Sequence, residues 1–204
     1  MKPTLIYFNG LGRGEIIRFL LSYFEVDFED IRINSIAELE KYKPDLLFGQ
    51  VPQYKDCEIG NIVQTNAICR YIAEKYGVRG KDIVERAKID EIFESTEDIY
   101  MAQYIAHRDG NAIEIEKICK ILVPKYCAAW ETILNKKSNG KYFFGDKATL
   151  ADLSVFKTMN HLKVFDFKIS TESYPKLNAM LADIGSQAQV QKYVHNCRIT
   201  PLNF

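Results

Sequence analysis

The sequence predicts two domains of different class: an α/β domain over residues 1–78 with the order β-α-β-α-β-β-α, then an all-helical domain over residues 83–204. Three observations carry this expectation. Residues 4–33 run strand, helix, strand, a βαβ unit whose two strands are expected to pair in parallel. A charged, glycine-containing linker, Val78-Arg79-Gly80-Lys81-Asp82, then marks a change of character. Beyond it, Ile83 to His107 and Asn111 to Val123 contain neither proline nor glycine, as long helices require.

Each element has a local reason. Thr4 to Phe8 is a β-rich run ended by Asn9-Gly10, and a loop punctuated by Gly10, Gly12 and Gly14 follows. From Glu15 onward Ile16, Ile17, Leu20, Leu21 and Phe24 recur at the spacing of a helix that buries one face. Asp27 to Ile33 alternates charged residues with Phe28, Ile31 and Ile33, a second strand, and a short helix fits within Ile36 to Leu47. Proline has no N–H for a sheet ladder, so Pro52 belongs at the lip of a third strand, Gln53 to Lys55. A turn at Glu58 to Asn61 leads to Ile62-Val63, making a hairpin. Thr65-Asn66 is expected to cap a helix with the apolar face Ile68, Tyr71, Ile72 and Tyr76, and Gly77 to stop it. In the second domain Pro124 is expected to kink or interrupt the pattern that resumes to Asn135. Lys136 to Thr149 reads as a loop. Thr149-Leu150-Ala151-Asp152 offers an N-cap with an acid three positions on, Tyr174-Pro175 opens another helix, and Ala188 to His195 holds the last.

Composition narrows the function. The 204 residues carry 27 Lys+Arg against 27 Asp+Glu and are 47% hydrophobic, which excludes disorder and gives no basic footprint for nucleic acid. The longest uncharged stretch, Ile59 to Cys69, contains Gln, Asn and Gly and falls short of the roughly 18 apolar residues of a membrane span. No secretory signal is evident, so a cytoplasmic protein is expected. Five cysteines without a Cys-x-x-Cys pair, and three histidines at no ligand spacing, argue for reduced thiols and against a metal site. Gly10-x-Gly12-x-Gly14 fits neither nucleotide-binding spacing. The same loop lacks the cysteine that thiol–disulfide chemistry needs.

The run Tyr7-Phe8-Asn9-Gly10-Leu11-Gly12-Arg13-Gly14-Glu15-Ile16-Ile17-Arg18 resembles the opening of cytosolic glutathione transferases, in particular the sigma class that includes glutathione-dependent prostaglandin D synthases and S-crystallins. Phe48-Gly49-Gln50-Val51-Pro52 is similar to the family's cis-proline segment. Gln64-Thr65-Asn66-Ala67-Ile68-Cys69-Arg70-Tyr71 is similar to its helix start, and Gly145-Asp146 with Thr149 to Asp152 to its C-terminal capping box. The resemblance runs from Tyr7 to about Tyr193 and implies a thioredoxin-like first domain, a helical second domain, glutathione as co-substrate and a homodimer.

The implied site follows residue by residue. Glutathione's thiol, near pKa 8.5, is mostly protonated at neutral pH, and a hydroxyl donor to its sulfur stabilises the thiolate by about 1.5 to 3 kcal/mol. The resemblance assigns that donation to Tyr7, with Arg13 orienting it. Gln64 and Thr65 suit the γ-glutamyl carboxylate, since a hydroxyl and free helix-start N–H groups both donate. Val51 before Pro52 would pair with the cysteinyl backbone, and Lys43 and Gln50 would bind the glycyl end. The family's tryptophan is missing there, and Leu39 stands near its position. Asp90, Glu94, Glu97 and Asp98 lie on one helix face, and an aspartate matching Asp98 reaches the partner subunit's glutathione in the family. Phe48 is either an aromatic key into the partner or an aromatic packed in its own subunit. The electrophile site would be lined by Phe8, Gly10, Leu11, Tyr100, Tyr104 and Phe204. Conjugation of hydrophobic electrophiles is the expected activity. The alternatives are a noncatalytic ligand-binding or structural protein, and a prostaglandin D isomerase, which the absence of a tryptophan near Tyr104 and Ile105 disfavours.

Overall fold

The computed structural model describes residues 2–137 and 140–196. The chain folds as two compact units, residues 1–76 with 188–204, and residues 77–187. In the first unit β1 (Thr4–Phe8), α1 (Glu15–Tyr23), β2 (Glu29–Ile33), α2 (Ile36–Tyr42), β3 (Gln53–Asp56), β4 (Gly60–Val63) and α3 (Thr65–Lys75) follow in order. The sheet order is β2-β1-β3-β4. β1 and β2 pair in parallel with Tyr7 opposite Arg32, as a βαβ crossover demands, and β3 pairs antiparallel with β1 and β4. Alternation along β1 turns Leu5 and Tyr7 to one face and Ile6 and Phe8 to the other. The second face carries a cluster of Ile33, Leu39 and Leu46 with Ile6, Phe8, Tyr42 and Val51 packed against it. The hairpin turn after β3 is closed by Asp56, whose Oδ1 accepts from the N–H groups of Glu58 and Ile59 at 2.9 and 3.0 Å.

Two local expectations are corrected. Thr65 does not cap α3 but is its first helical residue; Gln64 occupies the cap position with φ 74° and makes no side-chain capping bond. The chain turns sharply at Gln64, so the Thr65 side chain is carried inward and is only 7% exposed. The second strand begins at Glu29, two residues later than its alternation suggested, because pairing with β1 starts at Thr4 opposite Glu29. Gly77, at φ 72°, follows α3 in the conformation that ends helices.

The second unit holds α4 (Ile83–Arg108), α5 (Ala112–Lys117), α6 (Val123–Lys137), α7 (Leu150–Val164) and α8 (Pro175–Ser186). Pro124 lies in the first turn of α6, preceded by a π-helical stretch Ile118–Leu122. Proline cannot donate and crowds the carbonyl four residues back, and the wider π spacing absorbs that misfit. α7 is the buried centre: Asp152 is wholly inaccessible and accepts from the Thr149 N–H at 2.8 Å, the Thr149 hydroxyl at 2.7 Å and the Phe143 N–H at 2.9 Å. Trp130 on α6 is buried and donates its Nε1–H to Ser95 at 3.1 Å. The last helix, α9 (Ala188–Asn196), packs against α1 and belongs with the first unit, although the sequence places it after the helical segment. No helix of the described residues is long and apolar enough to cross a membrane.

Candidate functional site

The site begins with Tyr7 at the end of β1. Its ring is almost buried, at 7% exposure, and the loop that follows folds back over it. A Cβ on Gly12 would lie 2.2 Å from the Tyr7 hydroxyl, and one on Gly14 would lie 2.3 Å from the ring, so only glycine allows this approach. The loop then delivers the backbone N–H of Arg13 to the Tyr7 oxygen at 2.7 Å. With its oxygen engaged as acceptor, the phenol has its own proton to give to a third atom. Burial pushes the Tyr7 pKa above its ordinary value, opposed by the Arg13 amide, the Arg18 charge, the Gly14 amide and the Arg13 charge. The group is therefore a protonated donor at neutral pH.

Beside it, a cavity of about 440 Å³ is lined by Phe8, Arg13, Leu39, Gly49, Gln50, Val51, Pro52, Val63, Gln64 and Thr65. The Val51–Pro52 peptide is cis. Gln64 is a non-glycine residue at φ 74° and ψ 114°, a costly conformation that concentrates at functional sites. The cavity thus gathers Arg13, Leu39, Gln50, Val51, Pro52, Gln64 and Thr65 from four separate segments. Lys43 is not among its lining residues. Its ammonium pairs with Glu40 at 2.5 Å on the outside of the α2 turn.

The other expected residues fall elsewhere. Leu11 lines a second cavity of the first unit, bounded by α1, β2 and α9, and Gly10 is buried in the loop. Tyr100 and Tyr104 stand one turn apart on α4 with rings stacked at 6.1 Å and 17°. Phe204 lies outside the described residues. Asp98 is exposed and accepts from the Tyr126 hydroxyl at 2.6 Å, while Asp90 pairs with Arg79 at 2.5 Å, so the acidic face of α4 is not a uniformly solvated stripe. Phe48 is 60% exposed beside Leu47 at 77%, which removes the reading that it packs within its own chain. Among the described residues no cluster of three or more His, Cys, Asp or Glu is able to hold a metal.

Sequence reasoning missed two features. One is the backbone origin of the bond to Tyr7, hidden because the amide belongs to any residue; the glycine spacing was its only trace. The other is a buried polar pair in the second unit, Lys157 and His161, whose Nζ and Nδ1 are 2.8 Å apart. Their i, i+4 spacing on the most buried helix was the available signal.

Comparison with known proteins supplies the family. The pattern of the glutathione S-transferase N-terminal domain matches residues 3–74, and that of the glutathione S-transferase C-terminal domain matches residues 95–196. The chain is 35% identical to bovine glutathione S-transferase A2 over 201 residues, covering 95% of this chain and 87% of the other. It is 36% identical to rat glutathione S-transferase alpha-1 over 199 residues, covering 95% and 88%. Among solved structures, a Pi-class glutathione S-transferase of Onchocerca volvulus superposes with a TM-score of 0.85 at 27% identity, covering 100% of this chain and 98% of the other. Rat hPGDS complexed with a quinoline gives 0.79 at 25%, covering 98% and 99%. The first unit's sheet and helices are accordingly a thioredoxin-like domain, the segment after it is helical as in these relatives, and the chain belongs to the glutathione S-transferase family.

Proposed function

We propose that the protein binds glutathione in the cavity of the first unit and transfers its thiolate to hydrophobic electrophiles. The observation that carries this reading is the Tyr7 hydroxyl, held at 2.7 Å by the Arg13 amide next to a cavity lined by Val51, Gln64 and Thr65. In this reading the phenol donates to the sulfur. The charge-assisted bond is worth about 1.5 to 3 kcal/mol, which lowers the thiol pKa by about one to two units and raises the thiolate from a few per cent to a substantial share at neutral pH. Val51 offers backbone groups to the cysteinyl residue, and the Thr65 hydroxyl with the N–H groups at the start of α3 receives the γ-glutamyl carboxylate. Arg13 and Gln50 are the polar side chains left for the glycyl end, with Leu39 beneath. Lys43, paired with Glu40, joins them only if that ion pair opens.

Electrophile contact is proposed for Phe8, Gly10 and Leu11 in the first unit and, separately, for the aromatic pair Tyr100 and Tyr104 on α4, apolar and aromatic residues suited to small hydrophobic molecules. Alpha-class relatives at 35 and 36% identity favour a general conjugating transferase over an isomerase. The opening motif, together with the likeness to rat hPGDS, keeps the sigma-class-like reading and a prostaglandin D isomerase as the alternative. The domain boundaries are proposed at residues 1–78 and 83–204, and the location as the cytoplasm.

A homodimer is part of the proposal. Exposed Phe48 supplies a key for a partner, and Asp98 supplies the carboxylate for the ammonium of the other subunit's glutathione. Replacing Asp98→Asn is expected to raise the glutathione Kd about fivefold, measured by isothermal titration. An unchanged Kd removes Asp98 from the site. The decisive experiment is Tyr7→Phe: turnover with chlorodinitrobenzene falls about 100-fold while the glutathione Kd stays within twofold, because the lost hydroxyl serves the thiolate alone. Absence of measurable glutathione binding by the unsubstituted protein overturns the reading.

A further inference from the structure

A cavity of about 860 Å³ in the first unit lies apart from the one beside Tyr7 and is bounded by α1, β2 and α9. Its wall contains a chain of buried polar groups that the proposed reaction leaves unused. Tyr193 on α9 donates its hydroxyl to Glu15 Oε1 at 2.6 Å. Glu15 Oε2 accepts from Arg18 Nη1 at 3.0 Å. Arg18, only 3% exposed, then spends its remaining fork on the loop that covers Tyr7: Nη1 donates to the carbonyl of Gly10 and Nη2 to that of Phe8, each at 3.1 Å. Its Nε is held by Asp30 at 3.0 Å, and Asp30 is held in turn by Arg32.

We propose that Tyr193 is a positioning residue for catalysis: through Glu15 and Arg18 the last helix sets the backbone of the Phe8–Gly14 loop, and with it the Arg13 amide that aims the Tyr7 proton. This rests on the reading that Tyr7 donates to the glutathione sulfur. The geometry leaves little slack. A planar guanidinium that bonds two carbonyls separated by one residue fixes their relative orientation, whereas a lysine at the same place supplies charge without that fork. Its carbon lies 5.7 Å from the centre of the Tyr7 ring, so a shift of Arg18 also moves the nearest buried positive charge felt by the phenol. Tyr193 comes from outside residues 7–32, and its ring rests on Phe19 at 5.2 Å. Without the hydroxyl, the adjoining cavity gives the Glu15 carboxylate water to turn toward, so the expected loss is of orientation and not of the fold.

The test is Tyr193→Phe, which keeps the ring contact and removes only the hydroxyl, read by the pH profile of thiolate absorbance for bound glutathione. The apparent thiol pKa is expected to rise by about half a unit, about a threefold fall in the thiolate-to-thiol ratio, with the glutathione Kd within twofold. Arg18→Lys is expected to raise it further, and the double variant to match Arg18→Lys alone, since both act along one path. A Tyr193→Phe protein with an unchanged thiol pKa, whatever its thermal midpoint, overturns the proposal and leaves the tie structural. Tyr7→Phe is the control. If it fails to raise the thiol pKa, the reading of Tyr7 falls and the positioning role with it; if it raises the pKa and Tyr193→Phe does not, only the positioning role falls.

Discussion

The glycine loop after β1 and the C-terminal half of α4 both carry residues assigned to ligand contact, and they are built in opposite ways. In the loop the key group is backbone, the Arg13 amide, and the cavity beside it is likewise bordered by backbone turns at Val51–Pro52 and Gln64. On α4 the key groups are side chains, Tyr100 and Tyr104, presented by regular helix, with Tyr104 41% exposed. Backbone groups cannot be exchanged by substitution, so a loop of this kind holds one ligand chemistry through large changes of sequence. Side chains on a helix face are replaced without disturbing the helix. That contrast suits a fixed co-substrate on one side and variable electrophiles on the other.

The comparison is broken most forcefully at Gly12. A Cβ there meets the Tyr7 hydroxyl at 2.2 Å, so Gly12→Ala is expected to displace the phenol from the Arg13 amide and lower turnover about 100-fold, with circular dichroism unchanged. Near-normal turnover in this variant means the loop is more pliable than a backbone-built site allows. A smaller effect is expected on the helix. Tyr104→Ala removes one exposed aromatic face, worth about 1 kcal/mol, and so raises the KM for an aryl electrophile about fivefold while the glutathione Kd stays constant. An equal effect on glutathione binding erases the division between the two regions.

The smallest effect concerns α7, where buried polar groups serve structure. His161 has its pKa lowered first by burial, then by the Lys157 ammonium and by His107; Tyr100 and Phe165 complete its surroundings. A lowered folded-state pKa means that the unfolded chain takes up the proton first. The stabilising contribution is therefore present above the ordinary histidine value of about 6.5 and is lost as pH falls below it. His161→Gln is expected to flatten the decline in thermal midpoint between pH 7 and pH 5, by at most about 1.4 kcal/mol per pH unit. A decline as steep as in the unsubstituted protein assigns the acid sensitivity to other groups. Asp152 acts in the opposite sense: burial pushes its pKa up to about 6, so its contribution weakens as pH rises from about 4 through 6.

The legible and the illegible parts of the molecule divide along the same line. Strand and helix order could be read because burial imposes periods of about two and 3.6 on apolar residues, and β1, α1 and the hairpin of β3 with β4 follow those periods directly. The loop was visible as a glycine rhythm, and Tyr7, Val51, Gln64 and Thr65 as a resemblance. The place of Lys43 could not be read, since its ammonium pairs with Glu40 three residues away. The pairing of Asp98 with Tyr126 was out of reach because the two sit on different helices, 28 positions apart.

What the sequence determined by itself is therefore the class of each segment, the parallel βαβ start, the place of Pro52 and the family. The first three depend on local propensity and on spacing along one chain, and the family on the resemblance of its motifs. Only the tertiary structure decided that the Arg13 amide meets the Tyr7 oxygen, that Gln64 turns at positive φ, and that Tyr193 reaches Glu15 across 178 positions. Hydrogen bonds of that kind depend on direction and on tenths of an ångström. Such geometry exists only after the sheet, α1 and α9 have packed, and no spacing along the chain encodes it.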